Sequence, residues 1–105
     1  MTQERTAVGS FIATGSAMNI HLGFIPRYVR LINVTDAVVG YLEWYQGMGD
    51  GYGRKSVTNV ASIIASDGIS EYAGNDAEGD AAGFTFGAET DLNNGSDVIY
   101  YVVVR

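Results

Sequence analysis

The sequence predicts an all-β fold: a compact sandwich of jelly-roll or Greek-key type with about eight short strands. The 105 residues include 14 Gly, 7 Tyr and a single Pro, a composition that favours strands joined by tight turns. Short apolar segments recur with turn residues between them, without the helical segments that βαβ units would need. A chain of this length buries about two-thirds of its unfolded surface. We therefore expect one β domain over residues 1–105, with residues 1–6 as a flexible N-terminal arm.

Three strands are predicted in the N-terminal third of the chain. Each is a short apolar segment next to residues that favour turns. Pro26 precedes the third segment, and it suits a strand start because proline cannot donate a hydrogen bond to the ladder. The third is partly apolar on both faces, so we expect neither face to be simple water-facing surface. The three segments are Ala7–Thr14, Ala17–Leu22 and Arg27–Thr35.

The middle of the chain contains one clear strand and one ambiguous segment. Residues 41–46 alternate, which places Leu42 and Trp44 in the core and the intervening side chains outward, or the reverse. Residues 57–64 have apolar residues at helical spacing, but their β-branched content favours a strand. We predict a strand there, ended by Asp67-Gly68 as a hairpin turn.

The C-terminal third is predicted to hold an acidic loop, Glu71–Ala82, and two strands, Gly83–Gly87 and Val98–Val104. The last strand is apolar on both faces, whereas a strand in a two-layer sandwich should turn one face to water. Leaving Ile99 and Val103 exposed would forgo roughly 1.5–3 kcal/mol for each. We therefore expect a loop of the same chain or another subunit to cover the face of Ile99, Tyr101 and Val103.

Charge and composition exclude several classes of function. Charged residues make up only 17% of the chain, so it is neither disordered nor a coiled coil. A net charge of −6 has the wrong sign for phosphate neutralisation, so we expect no nucleic-acid partner. No apolar segment approaches the about 18 residues of a membrane span, so we expect no membrane partner. The polar start, Met1–Arg5, lacks a secretory signal, so we expect a complete small gene product made in a cytoplasm.

Catalytic and metal-binding motifs are weak. There is no Cys, His21 is the single His, and no nucleophile elbow accompanies it, so we expect no enzyme and no cofactor. Carboxylates at alternate positions in Asp76–Asp80 suit calcium, but the Gly and Glu positions of an EF-hand loop are not filled. We interpret that segment as an acidic solvated loop, and a looser calcium site stays open.

The glycine-rich segment Gly47–Gly53 is the most suggestive loop. It is followed by two cations and a Ser, as in a phosphate cradle, but Arg54 separates the last Gly from Lys55, which does not fit a Walker loop. We interpret it as a mobile surface loop whose Asp50, Tyr52, Arg54 and Lys55 contact a partner or ligand. A sugar-stacking platform is the alternative for the exposed aromatic residues, drawn from Tyr41, Trp44, Tyr45, Tyr52 and Tyr72.

Three parts of the chain resemble small virion structural proteins of tailed bacteriophages and prophages. Gly23–Asn33, with the sequence GFIPRYVRLIN, is similar to their G-F-x-P-x-x-V-x-l-x-N segment. Gly83–Gly87, followed by Asp91–Asn93 and Ile99–Val102, resembles their C-terminal ending, and Gly68–Tyr72 resembles their G-I-t-x-y piece. The resemblance implies a capsid decoration (cement) protein or a related head or tail accessory, located in the virion.

From these observations we expect a non-enzymatic decoration protein that binds the major capsid protein, or another virion protein, as a homo-oligomer, dimer or trimer. The expected subunit or partner interface contains Tyr28, Arg30, Ile99, Tyr101 and Val103. The alternative is a tail-associated receptor- or carbohydrate-binding module. Eight of the twelve carboxylates fall between residues 67 and 97, where there is no Lys or Arg, so the acidity belongs to one group of loops.

Overall fold

The structure, a computed structural model of the chain, describes residues 6–35 and 40–105, and every regular element in those ranges is a strand. The all-β prediction and the strand number are confirmed. Residues 1–5 of the expected arm lie outside the described residues, whereas Thr6 begins the first strand. The strands are β1 (Thr6–Ile12), β2 (Met18–His21), β3 (Tyr28–Asn33), β4 (Gly40–Tyr45), β5 (Tyr52–Val57), β6 (Val60–Tyr72), β7 (Gly83–Phe86) and β8 (Val98–Val104).

All eight strands belong to one antiparallel sheet in the order β1-β8-β3-β4-β5-β6-β7-β2. Strands β3 to β7 follow one another as a meander, and β8 then returns to pair with β3, the first strand of that meander. This return connection is the element that defines a Greek key. The other side of β8 pairs with β1 over seven residues, from Thr6↔Val104 to Ile12↔Val98.

The sheet folds over on itself, so that strands far apart in hydrogen-bonding order face each other. The Phe11 ring on β1 packs edge-on against Phe86 on β7 at 5.9 Å between centroids, and Phe84 lies 6.2 Å from Tyr101 on β8. The molecule measures 38 × 33 × 23 Å. Its smallest dimension fits two sheet layers about 10 Å apart with their outer side chains. The result is the sandwich that the sequence predicted.

The core lies between the two layers and contains the inward side chains of most strands. Trp44 and Leu42 on β4 are buried and Tyr41 and Glu43 point outward, which settles the two orientations left open by the sequence. The indole N–H of Trp44 donates to the carbonyl of Gly49 at 3.0 Å, so its one polar atom is satisfied. The other fully buried apolar side chains include Val29, Leu31, Ile69, Phe84, Phe86, Ile99 and Val103.

Strand β6 confirms residues 60–64 of the strand predicted over 57–64, but it corrects the predicted turn. Tyr52 pairs with Ile69 while the next residue of β5 pairs with Ile64, so residues 65–68 bulge out of the ladder. Asp67 has a φ of 61°, and the N–H of Gly68 donates to the carbonyl of Gly51 at 3.0 Å. The Asp67-Gly68 pair therefore has the backbone of a tight turn, but it forms a bulge inside one long strand.

The hairpin turn lies instead at Thr58 and Asn59, between β5 and β6. Both residues have positive φ, 52° and 65°, as a two-residue type I′ turn requires. Neither is Gly, and Thr58 is β-branched, which makes this backbone conformation unfavourable for it. The sequence prediction missed the turn because Thr-Asn lacks the usual Asn-Gly signal.

Replacing Thr58→Asn together with Asn59→Gly should therefore stabilise the protein. Both new residues adopt positive φ more readily, so we expect the free energy of unfolding to rise by about 1 kcal/mol. Urea unfolding followed by tryptophan fluorescence measures this. Thr90→Asn, at an exposed site without positive φ, is the matched control and should change stability by less than about 0.5 kcal/mol. Equal effects of the two changes would contradict a strained turn.

Candidate interaction surface

The strand registers place one side chain from each of six adjacent strands in a row on the outside of the sheet. Residues paired across a ladder share a face, so this row follows directly from the pairing. The row is Val8, Val102, Arg30, Glu43, Arg54 and Ile63, in the order β1, β8, β3, β4, β5, β6. We call the outward side chains of β1, β8, β3, β4, β5 and the 60–64 part of β6 the outer face.

The outer face is unusually apolar and aromatic for a surface. Val8 and Ile63, at the two ends of the row, are 72% and 63% exposed, and Tyr100 and Tyr45 are about half exposed. Tyr28 and Tyr41 lie on the same face, Arg30 and Arg54 are its cations and Glu43 is its carboxylate. Protein interfaces are enriched in Tyr and Arg and depleted in Lys, Asp and Glu, as this face is.

Glu43 organises the charges at the centre of the outer face. One carboxylate oxygen accepts from the Tyr28 hydroxyl at 2.8 Å, and the other accepts from the Arg54 guanidinium at 3.3 Å. Burial, together with the hydrogen bond to Glu43, raises the pKa of Tyr28 from 10.0 to about 12. The Tyr28 ring also packs on Tyr45 with 5.2 Å between centroids. These side chains are therefore held in fixed positions before any partner arrives.

Arg30 is different, because its guanidinium has no anionic partner among the described residues. It stacks on the Tyr41 ring, 4.9 Å from the centroid. Its Nε atom is buried and makes no hydrogen bond within the described residues. A buried donor without a partner costs about 1–3 kcal/mol. The structure therefore places in the outer face a cation that has no ion pair within the described residues and one buried N–H without a hydrogen bond.

The residues expected at an interface separate into two groups. Tyr28 and Arg30 lie on the outer face, as an interface requires. Ile99 and Val103 are instead fully buried in the core, and Tyr101 packs against that core next to Gly9. The expectation that another subunit or a loop covers this side of β8 is corrected: the folded-over sheet of the same chain covers it. The side of β8 left at the surface carries Val98, Tyr100, Val102 and Val104.

The second expected group, Asp50, Tyr52, Arg54 and Lys55, does not form one mobile loop. Tyr52, Arg54 and Lys55 belong to β5, and only residues 46–51 form the loop before it. That loop is tied on both sides, since Asp50 accepts from the N–H of Glu71 at 3.2 Å and the N–H of Gly51 donates to Ile69. Tyr52 is 39% exposed and remains available for contact.

Lys55 points to the other side of β5, where it holds an acidic loop. Its ammonium donates to Glu89 at 2.6 Å and to Asp91 at 2.7 Å. Glu89 is 6% exposed, and its second oxygen accepts from the N–H groups of Asp91 and Leu92. The hydrogen bonds from Lys55 to Asp91 and Glu89 raise the pKa of Lys55 above 10.5. This cation is structural and is not free for a ligand.

The remaining candidate residues do not converge on a catalytic or metal site. Asp80 accepts from the Tyr72 hydroxyl at 3.1 Å, within a loop closed by an isolated bridge between Asn75 and Asp80. His21 is exposed and lies 3.0 Å from the carbonyl of Ala81. No group of three or more His, Asp or Glu side chains within residues 6–35 and 40–105 is arranged to hold a metal ion.

The residues that sequence reasoning missed on this surface are Val8, Ile63 and the exposed side of β8. The signal was present in β3, where Arg30 marks the outward face and Val29 the inward one. Because Arg30 pairs with Val102, and Val102 with Val8, the register carries this orientation across three strands. Pairing partners cannot be obtained from alternation within single strands, so the outer face needed the structure.

Replacing Lys55→Met should destabilise the protein by about 2 kcal/mol, because it leaves the carboxylate of Glu89 buried without its cation. Urea unfolding at neutral pH measures this. Arg54→Met is the matched control, since the Arg54 side chain is 45% exposed and its ion pair with Glu43 should contribute less than about 1 kcal/mol. Equal losses for both variants would contradict the assigned roles.

The same ion pair should make stability depend on alkaline pH. The pKa of Lys55 is raised in the folded state, so its stabilisation is complete below pH 10.5 and is lost as the pH rises through the folded-state value. The wild-type protein should therefore lose more stability than Lys55→Met between about pH 10 and about pH 12. Parallel losses in both proteins would contradict this assignment.

The described residues contain no helix long and apolar enough to cross a membrane. Comparison with protein-family models, with curated proteins and with solved structures gave no significant match to this chain.

Proposed function

We propose that this protein is a non-enzymatic structural protein of a phage virion, a capsid decoration protein that binds the capsid exterior as an oligomer. The observation that carries the proposal is the outer face, where Val8, Ile63 and Tyr100 are at least half exposed around few charges. Apolar patches of this kind on small proteins mark association surfaces. The resemblance of Gly23–Asn33 and Gly83–Gly87 to virion proteins is the reason for proposing a phage virion as the assembly.

The internal construction of the domain supports a structural role. The backbone of Gly83 passes so close to Ile20 that a Cβ would collide with its carbonyl, and a Cβ on Gly87 would collide with Asp67. Two residues of the virion-like segment are thus required by close strand packing. Asn93 is buried and donates to the carbonyls of Ser16 and Gly87 at 2.9 and 2.8 Å, which locks the following loop. These segments preserve a rigid scaffold, and a decoration protein needs such a scaffold.

Capsid binding tests the proposal directly. Purified protein should cosediment with expanded capsids that lack it. The number of copies bound per capsid should reach a plateau as the protein concentration rises. Tyr100→Asp places a charge on the outer face and should weaken this binding at least about tenfold, because burying an unpaired carboxylate opposes association. Ala77→Asp adds the same charge at an exposed turn away from the face and is the matched control. Absence of wild-type binding, or equal losses for both variants, would contradict the proposal.

A tail-associated carbohydrate-binding module is the second candidate, favoured by the exposed aromatic rings. Tyr45 is 49% exposed and stacked on Tyr28, and Tyr52 is 39% exposed, so their free ring faces could stack on a sugar. Under this alternative, Tyr45→Ala and Tyr52→Ala should abolish adsorption to host cells and binding on a glycan array, and leave capsid cosedimentation unchanged. Wild-type protein that binds no glycan and does not adsorb would eliminate it.

A further inference from the structure

The chemical pattern of the outer row is self-complementary at its two ends and at its centre. Taken from β1 to β6, its side chains are apolar, apolar, cationic, anionic, cationic and apolar. The two central residues, Arg30 and Glu43, are directly paired on neighbouring strands. A line drawn between β3 and β4, parallel to both strands, therefore has the cation of Arg30 on one side. The carboxylate of Glu43 lies directly opposite on the other side.

A two-fold axis along that line brings opposite charges together. Turning a second copy about this axis stacks the two outer faces and sets Arg30 of each copy against Glu43 of the other. The same rotation sets Val8 against Ile63, the two most exposed side chains of the row. It also sets Tyr28 against Tyr45 and Ile32 against Tyr41 in the adjacent rows. In such an isologous contact each pair occurs twice, so one match contributes two interactions.

We propose that two copies of this chain pack outer face to outer face about this axis, with reciprocal Arg30–Glu43 ion pairs at the centre. The inference rests on the proposed function, since it identifies the oligomer and its contact surface; the outer face is then covered by the second copy, and Tyr100→Asp weakens capsid binding by opposing the dimer. It gives an anion to Arg30, whose guanidinium forms no ion pair within the described residues of its own chain. Glu43 already accepts two hydrogen bonds, and a carboxylate has about four acceptor sites.

Charge complementarity favours a second copy as the occupant. The chain carries −6 overall, so two copies repel each other over most of their surfaces. The centre of the outer face avoids this repulsion, because the two-fold axis sets the guanidinium of Arg30 in each copy against the carboxylate of Glu43 in the other. A partner must supply a carboxylate beside apolar and aromatic groups, and the outer face of a second copy presents that combination.

The size of the face is sufficient. Five strands, β1, β8, β3, β4 and β5, lie about 4.8 Å apart and contribute about six residues each at about 3.3 Å per residue. They give a face of about 24 by 20 Å, or about 500 Å² from each copy. The total of about 1,000 Å² is the minimum expected of a biological interface.

Charge reversal with mixing tests the proposal. Analytical ultracentrifugation should show a concentration-dependent dimer for wild type, while Arg30→Glu alone and Glu43→Arg alone should each be shifted at least tenfold toward monomer. An equimolar mixture of the two variants should recover the dimer, because the heterodimer keeps one native Arg30–Glu43 pair and forms the second pair between the two substituted positions with the charges exchanged. Arg27→Glu reverses an exposed cation outside the row and should leave the dimer unchanged.

Circular dichroism should show that each variant is folded. A second test mixes two further single variants, Val8→Asp and Ile63→Lys, in the same way. Both positions are highly exposed, so folding is insensitive to the changes. A monomeric wild type, or failure of this second mixture to recover a dimer, would overturn the inference. If wild-type protein is monomeric but still cosediments with capsids, the proposed dimer is wrong and the proposed capsid binding stands. If wild-type protein forms a dimer that binds no capsids, the dimer stands and the proposed function is wrong.

Discussion

The fold depends on the pairing of β3 with β8. In this register Val29 lies opposite Val103 and Asn33 opposite Ile99, so one face of both strands is buried together. Strand β8 alone could bury either face, since both are apolar. Strand β3 cannot, because burial of Arg30 would place an unpaired guanidinium in the core. The charge of one residue therefore selects the buried face of the whole C-terminal strand, and the outer face consists of the side chains left outside.

Alternating or uniformly apolar segments between turn residues were enough to predict most of the strands. This pattern located β4 with its buried Trp44, and it located β8 to the residue. It failed at β5, where a glycine-rich start and two consecutive cations resemble a loop. It also failed at residues 65–68, because a bulge keeps both flanking parts of β6 in the sheet while using turn-forming residues. Both failures arise where a neighbouring strand fixes a backbone that the local sequence does not favour.

The candidate surface was only half predictable for a related reason. The sequence pointed to Tyr28 and Arg30, since β3 is partly apolar on both faces and neither face was expected to be simple water-facing surface. It assigned the wrong side of β8, because the faces of a uniformly apolar strand are indistinguishable until its partner is known. The sequence indicates more apolar side chains in the strands than one core can bury. The strand pairing shows where that surplus lies.

The position of Lys55 also explains why the outer face can be used for association. This cation lies on the inward side of β5, opposite buried Leu42, and holds Glu89 and Asp91 at 2.6 and 2.7 Å. The loop that carries those two carboxylates is thereby tied to the inward side of the sheet, away from the outer face. Glu43, the carboxylate of the outer face, is already paired with Arg54. An acidic chain thus keeps a cationic, aromatic surface, and the lack of an anion at Arg30 makes a carboxylate its natural complement.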